Sequence, residues 1–351
     1  MIVLFRKKSI LTFLLIGVAS LFLSGESWAV DPADEPVKSE ILQGIELTIN
    51  NQFDQAIQIY QKLKERYPHH PIGYFYIAAA IQAKMLDAEN YSASREFNQM
   101  ISQSIHLADS LIERGTEDGW IYFYYGSSLL YRGLMKTKQG GWFSAYRDAS
   151  KGVKYLEKAV QKDSTIYDAY LGIGSYKYWK SARTNFLTWL PFIADEREEG
   201  LRLIRKSLQN GIFVKWIGRD QICWILMDKG DYPEALEIAS SNCQANPESR
   251  FFRWTLAFAT FHTGEWSGSY ELYQNLLSDA RGMDDNNHFN EIDCLVHMAE
   301  ISAERAEWTK AYDLADQALK LNLDDAIRKR AKNKLKKALE IRNQAFAALD
   351  P

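Results

Sequence analysis

Seven small residues recur along this chain, each inside an aromatic-rich apolar stretch that reads as a helix: Gly44, Ala78, Gly126, Gly172, Cys223, Ala257 and Ala299. The intervals between them are 34, 48, 46, 51, 34 and 42 residues. Two equal the 34-residue period of a helix–turn–helix repeat, and the others fit the same unit with longer loops or helices. Such an array shares a continuous core between neighbours and has no enclosed pocket by default, so its function falls on the long surface it displays. Eight prolines and 20 glycines agree with this, being too few for an all-β chain rich in tight turns.

The N-terminus reads as a secretory signal over residues 1–29. Arg6, Lys7 and Lys8 form a basic start, residues 10–23 an uncharged apolar run, and Ser27 and Ala29 the small residues at a cleavage site. The run is 14 residues, short of the roughly 20 that span a bilayer; an uncleaved anchor is the competing reading. Cleavage between Ala29 and Val30 leaves a chain with no transmembrane segment, periplasmic or secreted, with residues 30–36 as a short linker. That chain carries 39 basic and 44 acidic side chains, a balance of −5 that argues against nucleic acid as a partner.

The first helix pair is the clearest, at about 37–50 and 53–67. Gly44 and Ala56 are small where the helices approach, Phe53 and Tyr60 fill the space beside them, and Pro68 stops the second helix. The same series returns as Cys223, Gly230, Tyr232, Ala235 and Pro247, then as Ala257, Gly264, Trp266, Ser269 and Tyr273, then as Ala299, Trp308, Ala311 and Ala318. Three middle units, about 71–214, are 12 to 17 residues longer than the period. Residues 324–349 read as one long capping helix with Ile327, Ala331, Leu335, Ala338 and Leu339 on its buried face.

This pattern resembles the tetratricopeptide repeat, most specifically at Gly230-Asp231-Tyr232-Pro233-Glu234-Ala235 and at Gly264-Glu265-Trp266. The resemblance covers about 300 residues and implies a right-handed solenoid of antiparallel helix pairs over 37–323. Residues 167–205 also show weak local similarity to the tetratricopeptide repeat 39 family. In the repeat family the first helix of each pair lines a concave, peptide-binding groove. By that resemblance Phe75, Trp120, Phe123, Trp224, Trp254 and Phe258 lie on the groove side. The extra length of the middle units adds Tyr176 and Trp179, facing the space shared by Trp120 and Phe123.

Other candidate sites are weaker. The apolar stretch 184–195, with Trp189 at its centre, reads as a plug on its own solenoid or as a lid over the groove. Lys177, Lys180 and Arg183 share one side of a helix, either as a solvated face or as a site for a carboxylate. The run Asp284-Asp285-Asn286-Asn287-His288 with Glu291 offers oxygen ligands but lacks the spacing and central Gly of a calcium loop, and reads as a polar loop tip. The basic stretch from Arg328 to Lys337 reads as the solvated face of the cap, with attraction to an anionic surface as the alternative.

Cys223 and Cys243 fall on consecutive helices at turn distances that differ by about 9 Å at the helical rise, favouring free thiols over a bridge. No phosphate loop, nucleophile elbow or zinc signature is present, so neither enzyme activity nor a cofactor is expected. The reading is a non-catalytic envelope scaffold that binds a protein or peptide in an aromatic groove. The alternative is a lipid- or small-molecule-binding accessory of an envelope transport system. Peripheral contact with the membrane or an envelope complex stays open in either case.

Overall fold

Sixteen α-helices and no strand occur among the described residues of the computed structural model, which are 30–184 and 194–350. They follow one another as α1 (Val37–Ile49), α2 (Phe53–Arg66), α3 (Pro71–Ala88), α4 (Ser94–Glu113), α5 (Gly119–Lys138) and α6 (Trp142–Lys162). Next come α7 (Ala169–Thr184), α8 (Arg197–Asn210), α9 (Lys215–Lys229), α10 (Tyr232–Ala245) and α11 (Arg250–His262). The last are α12 (Trp266–Arg281), α13 (Phe289–Glu304), α14 (Trp308–Lys320), α15 (Asp325–Arg330) and α16 (Lys332–Leu349). Seven hairpins, α1–α2 to α13–α14, thus stack in sequence, with α15 and α16 closing the end.

Local chemistry sets the helix ends. The Asp118 carboxylate accepts the N–H of Trp120 at 2.8 Å, and Asp324 accepts that of Ile327 at 2.7 Å. Gly230 ends α9 in the left-handed conformation, which costs a glycine nothing.

Within hairpins, the small residues sit where helices touch. A Cβ on Gly126 would lie 2.7 Å from the carbonyl oxygen of Gly152, and the reverse distance is the same, so α5 and α6 meet backbone to backbone. In the next hairpin the equivalent residue is Gly174, not Gly172: its Cβ would fall 2.5 Å from the Gly200 carbonyl oxygen. Gly172 instead faces Leu156 and Leu130 of the preceding hairpin. With Gly174 in place, the three long intervals become 48, 48 and 49 residues. The middle units therefore share one enlarged period.

The C-terminal segment is two helices where one was expected. At Ala331 the backbone leaves helical values (ψ 3°), and the fully buried Ala331 packs into the core formed with α13 and α14. The bend resets the inward face, so Ile341 and Ala345 are buried while Leu339 is exposed.

The array also bends back on itself. The α3–α4 turn meets the α10–α11 and α12–α13 loops and α15, far apart in sequence. Arg250 grips the buried Asp87 carboxylate with Nε at 3.1 Å and Nη2 at 2.5 Å, while the Asn290 amide donates to the Asp87 carbonyl at 2.7 Å. The Arg330 guanidinium pairs with Glu89, donates to its carbonyl at 2.9 Å, and lies over the rings of Tyr91 and Phe289 at 4.6 and 4.5 Å. Asn90 donates to the Asp285 carbonyl at 3.2 Å, and Asn287 to the Glu89 carbonyl at 2.9 Å. One hairpin earlier, Asn51 donates to the Glu248 carbonyl at 2.7 Å. The polar run 284–288 thus serves as half of this seam. Glu291, beside it, is held by Arg281 and His288.

Asp87→Ala should leave Arg250 half-buried with no carboxylate and cost about 2 kcal/mol. Hydrogen exchange should then accelerate at residues 248–250 and 285–290 together. Unchanged exchange in both loops would mean that the seam is not held by this pair.

Candidate functional site

The aromatic residues expected on one groove divide into two groups. Phe75 on α3 and Trp120 and Phe123 on α5 are buried. Their rings pack edge to face, Phe75 on Phe123 at 6.5 Å and Trp120 on Phe123 at 5.2 Å, with Tyr131 and Phe213 completing the cluster at 5.2 and 6.0 Å. Edge-to-face packing of this kind holds helices together and leaves little ring surface for a ligand. Beside it, His70 caps α3 by accepting the Ile72 N–H through Nδ1, and burial drives its pKa down to about 3, so it is neutral.

The second group forms a row across α7, α9 and α11, and its rings are part-exposed. The Trp179 indole and the Ser175 hydroxyl both donate to Gln221 Oε1, at 3.4 and 3.3 Å. Trp224 lies 5.4 Å from Phe258, Phe258 lies 4.4 Å from His262, and His262 stacks on Tyr232 at 4.7 Å. Trp179, Gln221, Trp224, Phe258 and His262 thus join three successive hairpins in a continuous strip. Its rings are part-exposed, with the Gln221 side chain and the His262 imidazole as polar groups along it.

Tyr176 and Trp254 lie outside the strip. The Tyr176 hydroxyl bonds Ser150 on α6 at 2.8 Å, and Trp254 packs on Tyr273 of α12 at 6.1 Å. The Lys177 and Lys180 ammonium groups both pair with Glu196, Lys180 at 2.5 Å, so the carboxylate they meet belongs to the chain itself and ties α7 to the start of α8. Arg183 is exposed and lies over the Trp142 ring at 5.8 Å. Trp189 and the rest of 185–193 lie outside the described residues.

Sequence reasoning missed the group behind the strip. Asp220 is fully buried on α9, accepts the Thr255 hydroxyl from α11 at 2.6 Å, and lies beside the Trp224 side chain one turn on. Burial outweighs these contacts and pushes its pKa up to about 7. The signal was an aspartate four residues before a tryptophan in an otherwise apolar helix.

Cys223, Cys243 and Cys294 are free thiols. Burial pushes Cys223 up to about 12 and Cys243 up to about 11, so neither is a thiolate near neutrality. In the basic C-terminal stretch, Lys334 pairs with Asp293, Lys337 with Glu300 at 2.7 Å, and Arg330 is spent in the seam. The strip has no walls of its own. An open cleft of about 550 Å³ lies elsewhere, between α10, α11 and α12, beside Leu236, Leu256 and Leu272. Among the described residues no helix is long and apolar enough to cross a membrane.

No family model matches this chain, residues 167–205 included, and no curated protein matches it. Solved structures do. The Cut9–Hcn1 hetero-tetramer of the APC/C aligns over 97% of this chain and 58% of that one, with a TM-score of 0.51 at 14% identity. YrrB, described as a TPR protein with an unusual peptide-binding site, aligns over 64% of this chain and 97% of its own, with a TM-score of 0.43 at 16% identity. A tetratricopeptide repeat protein from Parabacteroides merdae aligns over 90% and 100%, with a TM-score of 0.42 at 12% identity. At such identities the likeness is one of fold, and it agrees with the hairpin stacking: the chain folds as a tetratricopeptide-repeat solenoid.

Proposed function

We propose that this protein is a non-catalytic scaffold of the cell envelope, exported through residues 1–29, that binds an extended segment of a partner protein along the α7–α9–α11 strip. The observation that carries the reading is the continuity of Trp179, Gln221, Trp224, Phe258 and His262 across three hairpins, with the buried Asp220 beside Trp224. Rings locked by packing lose little freedom on binding, which favours them as anchors. Gln221 and the edges of the indoles offer hydrogen bonds at intervals, suited to a peptide backbone crossing the strip.

The test is enrichment of native partners from the envelope fraction with the intact chain and with Trp224→Ala. Loss of a central aromatic anchor is expected to weaken the interaction by about 30-fold, near 2 kcal/mol. A partner whose binding is unchanged by Trp224→Ala and Phe258→Ala, and whose footprint leaves α7, α9 and α11 unprotected, would sink the proposal. Export is checked separately: N-terminal sequencing of the native protein should begin at Val30, and a retained Met1 in a cytoplasmic fraction would contradict it.

A further inference from the structure

The first turn of α6 carries an aromatic cluster that stands exposed among the described residues. Trp142, Phe143 and Tyr146 are 60%, 82% and 57% exposed, and Phe143 is the most exposed of the large apolar side chains among the described residues. Their spacing puts the three rings on one side of that turn. They stand on the edge of the array formed by the turns inside each hairpin. The first two hairpins have this edge occupied by the seam, at Asn51 and at residues 87–91, whereas the α5–α6 turn meets it through Lys138, which pairs with Glu89 at 2.9 Å, and leaves Trp142, Phe143 and Tyr146 exposed. The cluster is convex, a projecting tip where a peptide site would be a groove.

Charge around the tip is one-sided. From Arg132 to Asp148 the sequence holds four basic residues and one acid, in a chain whose net charge is −3. That acid, Asp148, is buried under Arg132 and Lys136 at 2.7 and 2.6 Å, and Lys138 pairs with Glu89 at 2.9 Å, so the cations left to the tip are Arg147 and Arg183. Arg147 is exposed, and Arg183 reaches across from α7 to lie over Trp142. The Tyr146 ring is exposed beside the Ser150 and Tyr176 hydroxyls, which bond each other at 2.8 Å.

We propose that this edge docks on an anionic lipid surface, with Trp142 and Phe143 entering the headgroup–acyl boundary and Arg147 and Arg183 meeting the lipid phosphates. Three features select a bilayer over a protein. A convex aromatic tip needs no matching pocket when the other phase is fluid. Trp and Tyr, apolar bodies with one polar atom, partition to the membrane interface. The basic rim adds attraction that depends on lipid charge and fades with salt. The basic C-terminal stretch is the rival surface, but Lys334 and Lys337 are paired within the chain, Arg330 is covered, and it carries no exposed Trp or Tyr. Docking through the α5–α6 edge leaves the α7–α9–α11 strip on different side chains, so the two can act together and neither depends on the other.

The experiment uses the full chain and vesicles of equal phosphatidylglycerol and phosphatidylethanolamine, with phosphatidylcholine vesicles as the neutral comparison. Binding should favour the anionic vesicles and fall as salt is raised. Phe143→Asp should weaken it by about ten-fold or more with helical content unchanged, since this side chain supports no packing. The apolar run at residues 10–23 could itself hold vesicles, so a second measurement reads the tip directly. An environment-sensitive fluorophore on Phe143→Cys, in a chain carrying C243S, should shift to the blue on anionic vesicles. A chain that binds vesicles while this probe stays in water, or that binds equally well with Phe143→Asp, overturns the proposal. So does protection of residues 142–147 by a protein partner in the absence of lipid.

Discussion

Asp220→Asn should make the protein more resistant to urea at pH 8 than the parent chain, by far more than at pH 5. The parent carboxyl is fully buried, with a folded pKa near 7 against an ordinary value of 3.8. Its raised pKa means that the neutral form belongs to the folded state. The stability linked to it is fully present below about pH 4, falls as pH rises from there, and is lost once pH passes about 7. A shift of this size corresponds to on the order of 4 kcal/mol between the two ends of the window. Asparagine keeps an acceptor for the Thr255 hydroxyl and has no proton to lose. The groups facing this site are Arg219, Cys223 and Trp224 on α9, Cys243 on α10 and Thr255 on α11; both thiols stay neutral across the window. Asp87 and Asp168 are also raised by burial, so the comparison of variant with parent, not the parent curve alone, isolates Asp220. Equal urea midpoint differences at pH 5 and pH 8 would show that Asp220 ionises in the ordinary range.

Gly174→Val is expected to be the most damaging single substitution in the middle units. The new Cβ would fall 2.5 Å from the Gly200 carbonyl oxygen and 3.0 Å from the Ile204 nitrogen, both backbone atoms that cannot swing aside. Separating α7 from α8 should cost about 3 kcal/mol or more. Gly172→Ala is the control: its closest neighbours, Leu156 Cδ1 at 2.5 Å and Leu130 Cδ1 at 2.8 Å, are side-chain ends that can rotate, so about 1 kcal/mol is expected. Because neighbouring repeats can unfold in separate phases, calorimetry should show the loss in one transition rather than as a uniform shift. Equal losses at the two positions would mean that Gly172 is the contact after all.

That pair of glycines also shows how far the sequence could be read. Helix positions were legible because each hairpin repeats one solution to one problem, a small residue facing a helix with an aromatic one turn away. The first pair, expected at about 37–50 and 53–67, runs over 37–49 and 53–66. Gly172 was mistaken for Gly174 because both are glycines in one apolar stretch and spacing alone cannot choose between them. The site was less legible. An aromatic residue on a first helix reads the same whether its ring meets a ligand or another ring, so Phe75 and Trp224 looked alike. What separates them is their neighbours, Tyr131 and Phe123 for one, Phe258 and a buried carboxyl for the other. The seam left no local signal at all. Glu89 and Arg330 are 241 residues apart, and only the curvature of everything between them brings them together.

An open solenoid is a spring: units can be added or removed, and the rest continues undisturbed. The seam between the α3–α4 turn and α15 turns the spring into a hoop, and a hoop has a fixed circumference. Deleting or inserting one hairpin would carry Arg330 past Glu89 by about two interhelical spacings, ~18 Å, well beyond the reach of the pair. The number of units, and the enlarged 48-residue period of the middle ones, are therefore set jointly by closure. Change in such a lineage has to proceed through side chains and loop tips, because the count itself is locked.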